Sequence, residues 1–239
     1  MARKQYVNEG LGHSLMDLMT SIAVIFILLF LVFLHNKNEE IASRERQTQT
    51  NRDELFDKLR RELGADAGVE VRKDPGDRLT LLIELRDDPD ILSFAFKSHE
   101  IREKGKVFLQ QFIPRLSDIV CSEEAEKIVD SLIIEGHTDS SGTDDSNTEL
   151  SARRATAVLI ESHGIIAERE TADDSDHGRL ERCFLRLSQA TGRGEQELIK
   201  KIDGKEDEKA SRRVVIKVRV KSMEQRKYQG EVAEAGIGG

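Results

Sequence analysis

The strongest pattern along the chain is a predominantly apolar stretch close to its start, from Leu15 to Leu34. Its roughly 20 residues would reach about 30 Å as an α-helix, which is the thickness of the hydrocarbon core of a bilayer. The part from Leu18 onwards contains no charged side chain. We therefore predict a transmembrane helix over residues 14–36, preceded by a short N-terminal tail over residues 1–13.

The segment that follows the apolar stretch is polar but compatible with a helix. No proline or glycine interrupts it between Lys37 and Gly64, and leucines recur every four residues at Leu55, Leu59 and Leu63. Such a narrow apolar stripe among charged residues is typical of a helix with one buried edge. We predict a linker or plug helix over residues 37–66, which is either a solvated spacer or paired with a copy of itself.

The remainder of the chain alternates between strand-like and helix-like patterns. Strand patterns occur at Val69–Arg72, Arg78–Leu85, Ser131–Glu135 and Ser211–Val220. Helical patterns occur at Glu100–Ile119, Glu123–Asp130, Ser151–Ser162 (ending at Gly164) and Leu180–Ala190. The alternation predicts an α+β domain over residues 67–222, in which a small mixed sheet packs on helices, followed by a flexible tail over residues 223–239.

Composition and charge exclude several classes of function. Charged residues make up 34% of the chain and the net charge is −8, with no concentrated basic face, so we expect no nucleic-acid partner. Cys121 and Cys183 lie far apart without a histidine at ligand spacing, so we expect no metal site and no cofactor. They form either a disulfide, if the domain lies outside the cytoplasm, or two unrelated buried thiols. No catalytic arrangement stands out, so we do not expect an enzyme.

One ionisable residue, Asp17, lies inside the apolar stretch. An ionised aspartate costs about 2.5–3.5 kcal/mol at the centre of a span and less near its end. Asp17 therefore either marks the headgroup boundary or serves a function. Apolar residues on both sides of it favour a function, and the hydroxyls of Thr20 and Ser21 lie on the same helical face. We predict that Asp17 is an ion-carrying carboxylate supported by Thr20 and Ser21.

An ordered set of motifs in the second half of the chain resembles the peptidoglycan-binding domain of the OmpA C-terminal family. The motifs are Ile134-Glu-Gly-His-Thr-Asp139, then Gly142, Asn147, Leu150-Ser151, Arg154-Ala155 and Val158, and finally Ser211-Arg-Arg-Val-Val-Ile216. The resemblance covers roughly Val69–Val220. Together with one N-terminal span that carries an aspartate near its start, the resemblance extends to the MotB-type B subunits of ion-driven stator units. The segment Asp17-Leu-Met-Thr20 resembles the membrane motif of those subunits.

The family resemblance implies a ligand site. It implies that Asp139 and Arg154 hold the ammonium and the carboxylate of a diaminopimelate side chain, and that Thr138, Asn147 and Leu150 line the same pocket. An anion at the end of a strand and a cation on the next helix suit a zwitterionic ligand. The alternative is an ordinary surface ion pair between Asp139 and Arg154, which would contribute little.

The chain also departs from the family pattern. Ser146 replaces an aromatic residue, Ser211 replaces an asparagine, and the segment between Gly164 and Ser211 is longer than expected and lacks a Gly-Tyr-Gly turn. With the short N-terminal tail, these features resemble the ZorB component of Zorya anti-phage defence systems. A flagellar stator subunit is the alternative.

The resemblance further implies a dimer of this chain whose two spans lie inside a ring of A-type subunits. Asp17 would carry protons, with Na⁺ as the alternative ion, while the folded domains bind peptidoglycan. A passive peptidoglycan-binding tether is the competing interpretation, because it would need the wall-binding domain but not Asp17.

The implied location is the bacterial inner membrane, with a cytoplasmic N-terminus and a periplasmic domain. The segment after the span lacks the small residues of a signal-peptide cleavage site, which favours an uncleaved anchor. The distribution of positive charge opposes this orientation, because Arg3 and Lys4 precede the span whereas four Lys and Arg residues follow it within residues 37–52. An intracellular adaptor therefore stays open as an alternative.

Overall fold

A computed structural model describes residues 5–88, 91–95, 97–172, 178–222, 224–226 and 228. The chain divides into two compact units, Met1–Gln47 and Thr48–Gly239. Most of the predicted charged loop at Asp173–Gly178 and of the predicted flexible tail at 223–239 lies outside the described residues.

The first unit consists of the greater part of helix α1, which runs from Gln5 to Leu63. By length and composition this helix can cross a membrane, since it contains an 18-residue window with a mean hydropathy of 2.7, none of which is buried. Large apolar side chains are exposed in every direction from Met16 to Leu34. A helix that is apolar on all sides is suited to a lipid environment.

The last turns of α1 belong to the second unit, which begins at Thr48. The prediction placed this boundary later, with a linker over residues 37–66 and a domain that begins at residue 67. Leu55, Leu59 and Leu63 are all buried within the hydrophobic core of that unit. The leucine stripe of α1 thus packs against the folded domain of its own chain. This packing removes the three leucines from water, and no second copy of the chain is needed to cover them.

The second unit contains one five-stranded mixed sheet. Its strands are β1 (Val69–Lys73), β2 (Thr80–Arg86), β3 (Val129–His137), β4 (Ser188–Gly192) and β5 (Arg213–Val220), in the spatial order β1-β2-β5-β3-β4. Neighbouring strands are antiparallel except for β3 and β4, which are parallel. The further helices are α2 (Glu103–Val120), α3 (Glu123–Ile128), α4 (Asp144–Ala172), α5 (Arg179–Leu187) and α6 (Glu208–Ser211). The predicted class, one apolar N-terminal helix plus a mixed sheet packed with helices, is confirmed.

Two predicted helices differ from those observed. The prediction ended one at Gly164, whereas α4 continues to Ala172 because Ile165 and Ile166 carry its buried face past the glycine. The prediction extended the other to Ala190, whereas α5 ends at Leu187 and Ser188–Gly192 forms β4. That strand is polar and was missed, because it has few of the β-branched and aromatic residues typical of strands.

The core lies between the sheet and the helices that cover it. Ile83, Ile134 and Ile216 are fully buried and aligned across β2, β5 and β3. A disulfide joins Cys121, which follows α2, to Cys183 in α5. The interpretation as two unrelated thiols is therefore not what the structure shows.

Candidate functional site

A cavity of about 680 Å³ lies where β3 ends and α4 begins. All five residues predicted to form a ligand pocket line it, namely Thr138, Asp139, Asn147, Leu150 and Arg154. They come from the end of the strand, the following loop and the first turns of the helix. The fold thus brings together residues that the sequence places up to 16 positions apart.

Two glycines allow α4 to cross the sheet closely enough to form this cavity. A Cβ atom at Gly136 would overlap the carbonyl oxygen of Ser151, and one at Gly192 would overlap the backbone of Ala152. The Ser151 hydroxyl, which is fully buried, accepts a hydrogen bond of 2.9 Å from the N–H of Gly194. Because the helix lies directly on β3 and β4, Arg154 is held beside the strand end that carries Asp139.

Asp139 provides the anionic group of the cavity. Its Oδ1 accepts a hydrogen bond of 3.0 Å from the N–H of Ser141, and its Oδ2 accepts one from the guanidinium of Arg212. Burial raises the pKa of Asp139, but the hydrogen bonds from Arg212 and Ser141 outweigh burial and hold it below its ordinary value. Asp139 is therefore ionised at neutral pH.

Asn147 holds the loop that precedes α4. Its Nδ2 donates to the carbonyl oxygen of Asp139 at 3.3 Å and to the Glu195 carboxylate at 2.6 Å. Both bonds use the amide nitrogen and tie the loop to the strand end and to the segment after β4. Asn147 therefore positions the site as well as lining it.

Arg154 provides a buried cation. Only 7% of the residue is exposed, its Nε donates to the carbonyl oxygen of Ser98 at 3.1 Å, and its guanidinium lies 4.9 Å from the centre of the Phe94 ring. Burial lowers the pKa of Arg154, and the opposing effects of Asp87 and Asp139 do not restore it to its ordinary value. Across the described ranges, no carboxylate lies within ion-pair distance of Arg154. Its terminal nitrogens are thus available to an anionic group in the cavity.

The structure adds residues that sequence reasoning missed. Asp87, Ser93, Phe94 and Arg212 also line the cavity. The buried hydroxyls of Ser93 and Thr138 have no hydrogen-bond partner in the part of the chain that the structure describes. Arg212 belongs to the motif Ser211-Arg-Arg-Val-Val-Ile216, whereas Asp87 and Ser93 follow β2 and belong to no recognisable sequence motif. The lining therefore contains three carboxylates, three guanidinium groups and two unsatisfied hydroxyls, which suits a ligand with charges of both signs.

A second cluster of ionisable groups surrounds His137, which the sequence analysis did not include among the ligand-binding residues. Glu135, His137 and Glu197 are close enough together to suggest a metal site. However, Glu135 already accepts hydrogen bonds from Lys217 at 2.7 Å and from Arg193 at 3.2 Å. These cations occupy the carboxylate that a metal ion would need, so the cluster fits a structural network better than a metal site.

The predicted membrane residues lie on the exposed surface of α1. Asp17, Thr20 and Ser21 are all exposed. The Thr20 hydroxyl donates to the carbonyl oxygens of Met16 at 3.0 Å and Asp17 at 2.9 Å, and so bonds to its own helix. Among the side chains described, none donates a hydrogen bond or forms an ion pair with the Asp17 carboxylate. The support of that carboxylate by Thr20 and Ser21, through water or an ion, stays a prediction.

Comparisons with known proteins give similarities of fold at low sequence identity. No family model matches the chain, and no curated protein matches it. A putative MotB-like protein from Desulfovibrio vulgaris matches with a TM-score of 0.49 and 17% identity, over 74% of this chain and 96% of that one. The periplasmic domain of Helicobacter pylori MotB matches with a TM-score of 0.46 and 13% identity, over 73% and 93%.

A third similar structure is the cell wall anchor of the type VI secretion system (T6SS) from Pseudomonas aeruginosa. It matches with a TM-score of 0.41 and 22% identity, over 70% of this chain and 97% of that one. At these identities and TM-scores we draw no conclusion about function from the three matches.

Proposed function

We propose that this chain is a membrane-anchored peptidoglycan-binding protein. In this proposal α1 anchors it, Asp139 binds the ammonium group of a diaminopimelate side chain, and Arg154 binds the carboxylate. The observation that carries the proposal is the buried, ion-pair-free guanidinium of Arg154 in one cavity with the ionised Asp139.

The chemistry of the cavity favours such a ligand over a singly charged one. A guanidinium binds a carboxylate through two parallel hydrogen bonds, and an aspartate accepts hydrogen bonds from an ammonium group. Arg154 is buried without an ion pair, whereas Asp139 is paired with Arg212, so a ligand that lacks a carboxylate would leave the Arg154 charge desolvated. The hydroxyls of Ser93 and Thr138 offer further hydrogen bonds to the same ligand.

The test is binding of the full chain, purified in detergent, to isolated peptidoglycan that contains diaminopimelate. We expect Arg154→Gln to weaken binding about a hundredfold, because it removes a desolvated charge from the interaction. The matched control is Arg153→Gln, since Arg153 is the adjacent residue, is exposed and pairs with Glu149 at 2.6 Å outside the cavity. Equal binding by the two variants would contradict the proposal.

We further propose that the chain is the ion-conducting B subunit of a stator complex. Two copies would place their spans inside a ring of A-type subunits, and Asp17 would carry protons through that ring. The proposal is supported by the resemblance of the membrane motif and by a carboxylate that has no partner among the described side chains of an apolar helix. Each charge that crosses 100 mV releases about 2.3 kcal/mol, which would drive rotation of the ring.

The ion-carrying role is tested by Asp17→Asn, co-purified with the membrane partner to show that assembly is intact. We expect ion-dependent function in cells to be abolished, because the amide cannot exchange a proton. Asp17→Glu is the control, since it keeps a titratable carboxylate. Full function in Asp17→Asn would instead favour a passive tether.

We also propose that the folded unit is periplasmic and that the complex serves anti-phage defence of the Zorya type. The disulfide between Cys121 and Cys183 supports an oxidising compartment, against the count of positive charges around the span. The defence role rests on the departures from the family pattern alone, and flagellar rotation is the alternative. Deletion of the gene distinguishes them, because a defence protein changes sensitivity to phage and a flagellar one changes motility.

A further inference from the structure

Arg212 lies between two of the carboxylates that line the cavity, Asp139 and Asp87. Its Nη1 donates to Oδ2 of Asp139, while its Nε lies 3.6 Å from Oδ2 of Asp87. The Arg212 side chain is 34% exposed, compared with 10% for Asp139 and 19% for Asp87. Any cationic ligand group that reaches Asp139 must therefore compete with the guanidinium of Arg212.

The backbone around Arg212 is fixed, so that only its side chain needs to move. The N–H of Asp87 donates to the carbonyl oxygen of Arg212 at 3.2 Å. The adjacent residues Arg86 and Arg213 are paired across β2 and β5. Rotation of the Arg212 side chain is thus enough to shift its guanidinium from Asp139 towards Asp87.

Asp87 is a suitable acceptor for a displaced guanidinium. Burial raises the pKa of its carboxyl group, and the attraction of Arg154 and Arg212 offsets that effect only in part. A cation in direct contact would stabilise the ionised carboxylate further. Arg212 thus donates a hydrogen bond to Asp139 and lies within ion-pair distance of a second carboxylate, Asp87.

We propose that Arg212 is a displaceable cation, which occupies Asp139 in the empty cavity and transfers to Asp87 when a ligand ammonium group binds. Asp87 and Arg212 then determine specificity, because they allow Asp139 to bind an ammonium group without leaving the guanidinium unpaired. A ligand that has carboxylates but no ammonium group leaves the Asp139–Arg212 pair intact. This inference rests on the proposed peptidoglycan-binding function.

The test uses the full chain in detergent and calorimetric titration with two probes of the same carbon skeleton, meso-diaminopimelate and pimelate. We expect Asp87→Asn to weaken binding of diaminopimelate about tenfold, the loss of one hydrogen bond between charged groups. Binding of pimelate should not change. The matched control is Asp118→Asn, whose carboxylate pairs with Arg169 at 2.9 Å, since neither of these two residues lines this cavity.

The decisive comparison repeats Asp87→Asn in an Arg212→Gln background. Transfer requires both residues, so we expect Asp87→Asn to have no further effect there. A tenfold loss in both backgrounds, or no loss in either, would overturn the transfer. If the wild-type chain binds diaminopimelate but the variants match it, only this inference fails; if the wild-type chain does not bind it, the proposed function fails as well. Amide hydrogen exchange of β3 and β5 checks that each variant is folded.

The transfer also has a direct spectroscopic signature. In the wild-type chain, the NMR resonance of the Arg212 Nε–H should shift on addition of diaminopimelate and not on addition of pimelate. A resonance that stays unchanged with both probes, while diaminopimelate binds, would show that Arg212 does not move.

Discussion

Asp17 and Asp139 are both carboxylates with a proposed ligand, but their surroundings differ. The chain itself provides Asp139 with Arg212, the N–H of Ser141 and a fixed loop. The described side chains provide the Asp17 carboxylate with no partner. The groups around Asp139 are thus supplied by the second unit itself, whereas among the described side chains the Asp17 carboxylate of the first unit has no such contacts.

The largest effect on this self-contained unit should follow from loss of its disulfide. Replacing Cys121 and Cys183 together by serine opens a link across 62 positions of sequence. We expect a loss of about 4 kcal/mol in the free energy of unfolding, from the gain in entropy of the unfolded chain. Amide hydrogen exchange of the sheet in the full chain measures it, and treatment of the wild-type chain with a reductant should give the same change. Unchanged exchange would show that the unit does not depend on this link.

A slightly smaller effect should follow from Glu135→Gln. Glu135 is buried and accepts hydrogen bonds from Lys217 and His137. Its replacement removes the counter-charge of Lys217, whose side chain is only 17% exposed, which we expect to cost about 3 kcal/mol in the free energy of unfolding. Hydrogen exchange at neutral pH gives this value. A loss of less than about 1 kcal/mol, the contribution of an exposed ion pair, would show that the unit does not depend on the charge of Glu135.

The same residue predicts a dependence of stability on pH. Burial raises the pKa of Glu135, but hydrogen bonds from His137 and Lys217 outweigh it and lower the pKa from 4.5 to about 2. Because the pKa is lower in the folded state, the stabilisation is complete above about pH 4.5 and is lost as pH falls towards 2. Unfolding between pH 5 and pH 2 should therefore show a smaller loss of stability in Glu135→Gln than in the wild-type chain.

The smallest effect is expected from Asp17→Asn on the stability of the second unit. Asp17 lies in the other unit and its carboxylate contacts no described side chain, so hydrogen exchange of the sheet should change by less than about 0.5 kcal/mol. Function, by contrast, should be lost. A large loss of stability in this variant would show that the first unit is not independent, and would remove the contrast between the two carboxylates.

Much of the binding cavity could be predicted because its residues belong to ordered motifs. Asp139 and Arg154 are close in sequence, and a strand followed by a helix brings them together. Asp87 and Ser93 could not be predicted, since they reach the cavity only through the pairing of β2 with β5, which is distant in sequence. Contacts of that kind leave no local pattern.

The helices show a similar division. The apolar span was clear from composition alone, and the strand patterns at Val69–Arg72 and Arg78–Leu85 indicated the two strands that pair as β1 and β2. The partner of the leucine stripe in α1 was not determined by the sequence, because a stripe packs equally well on a second copy or on its own domain. The polar strand β4 was missed, since it is held by pairing with β3 and not by the preferences of its own residues.

The close approach of α4 to the sheet has a consequence for how this site can be varied. The distance between the helix and β3 is set by a missing carbon atom, because any side chain at Gly136 would collide with Ser151. A single methyl group there would push the part of α4 around Ser151 outwards and carry Leu150 and Arg154 with it. A substitution at Gly136, which does not line the cavity, would thus change the width of the cavity, while all the lining residues keep their identity.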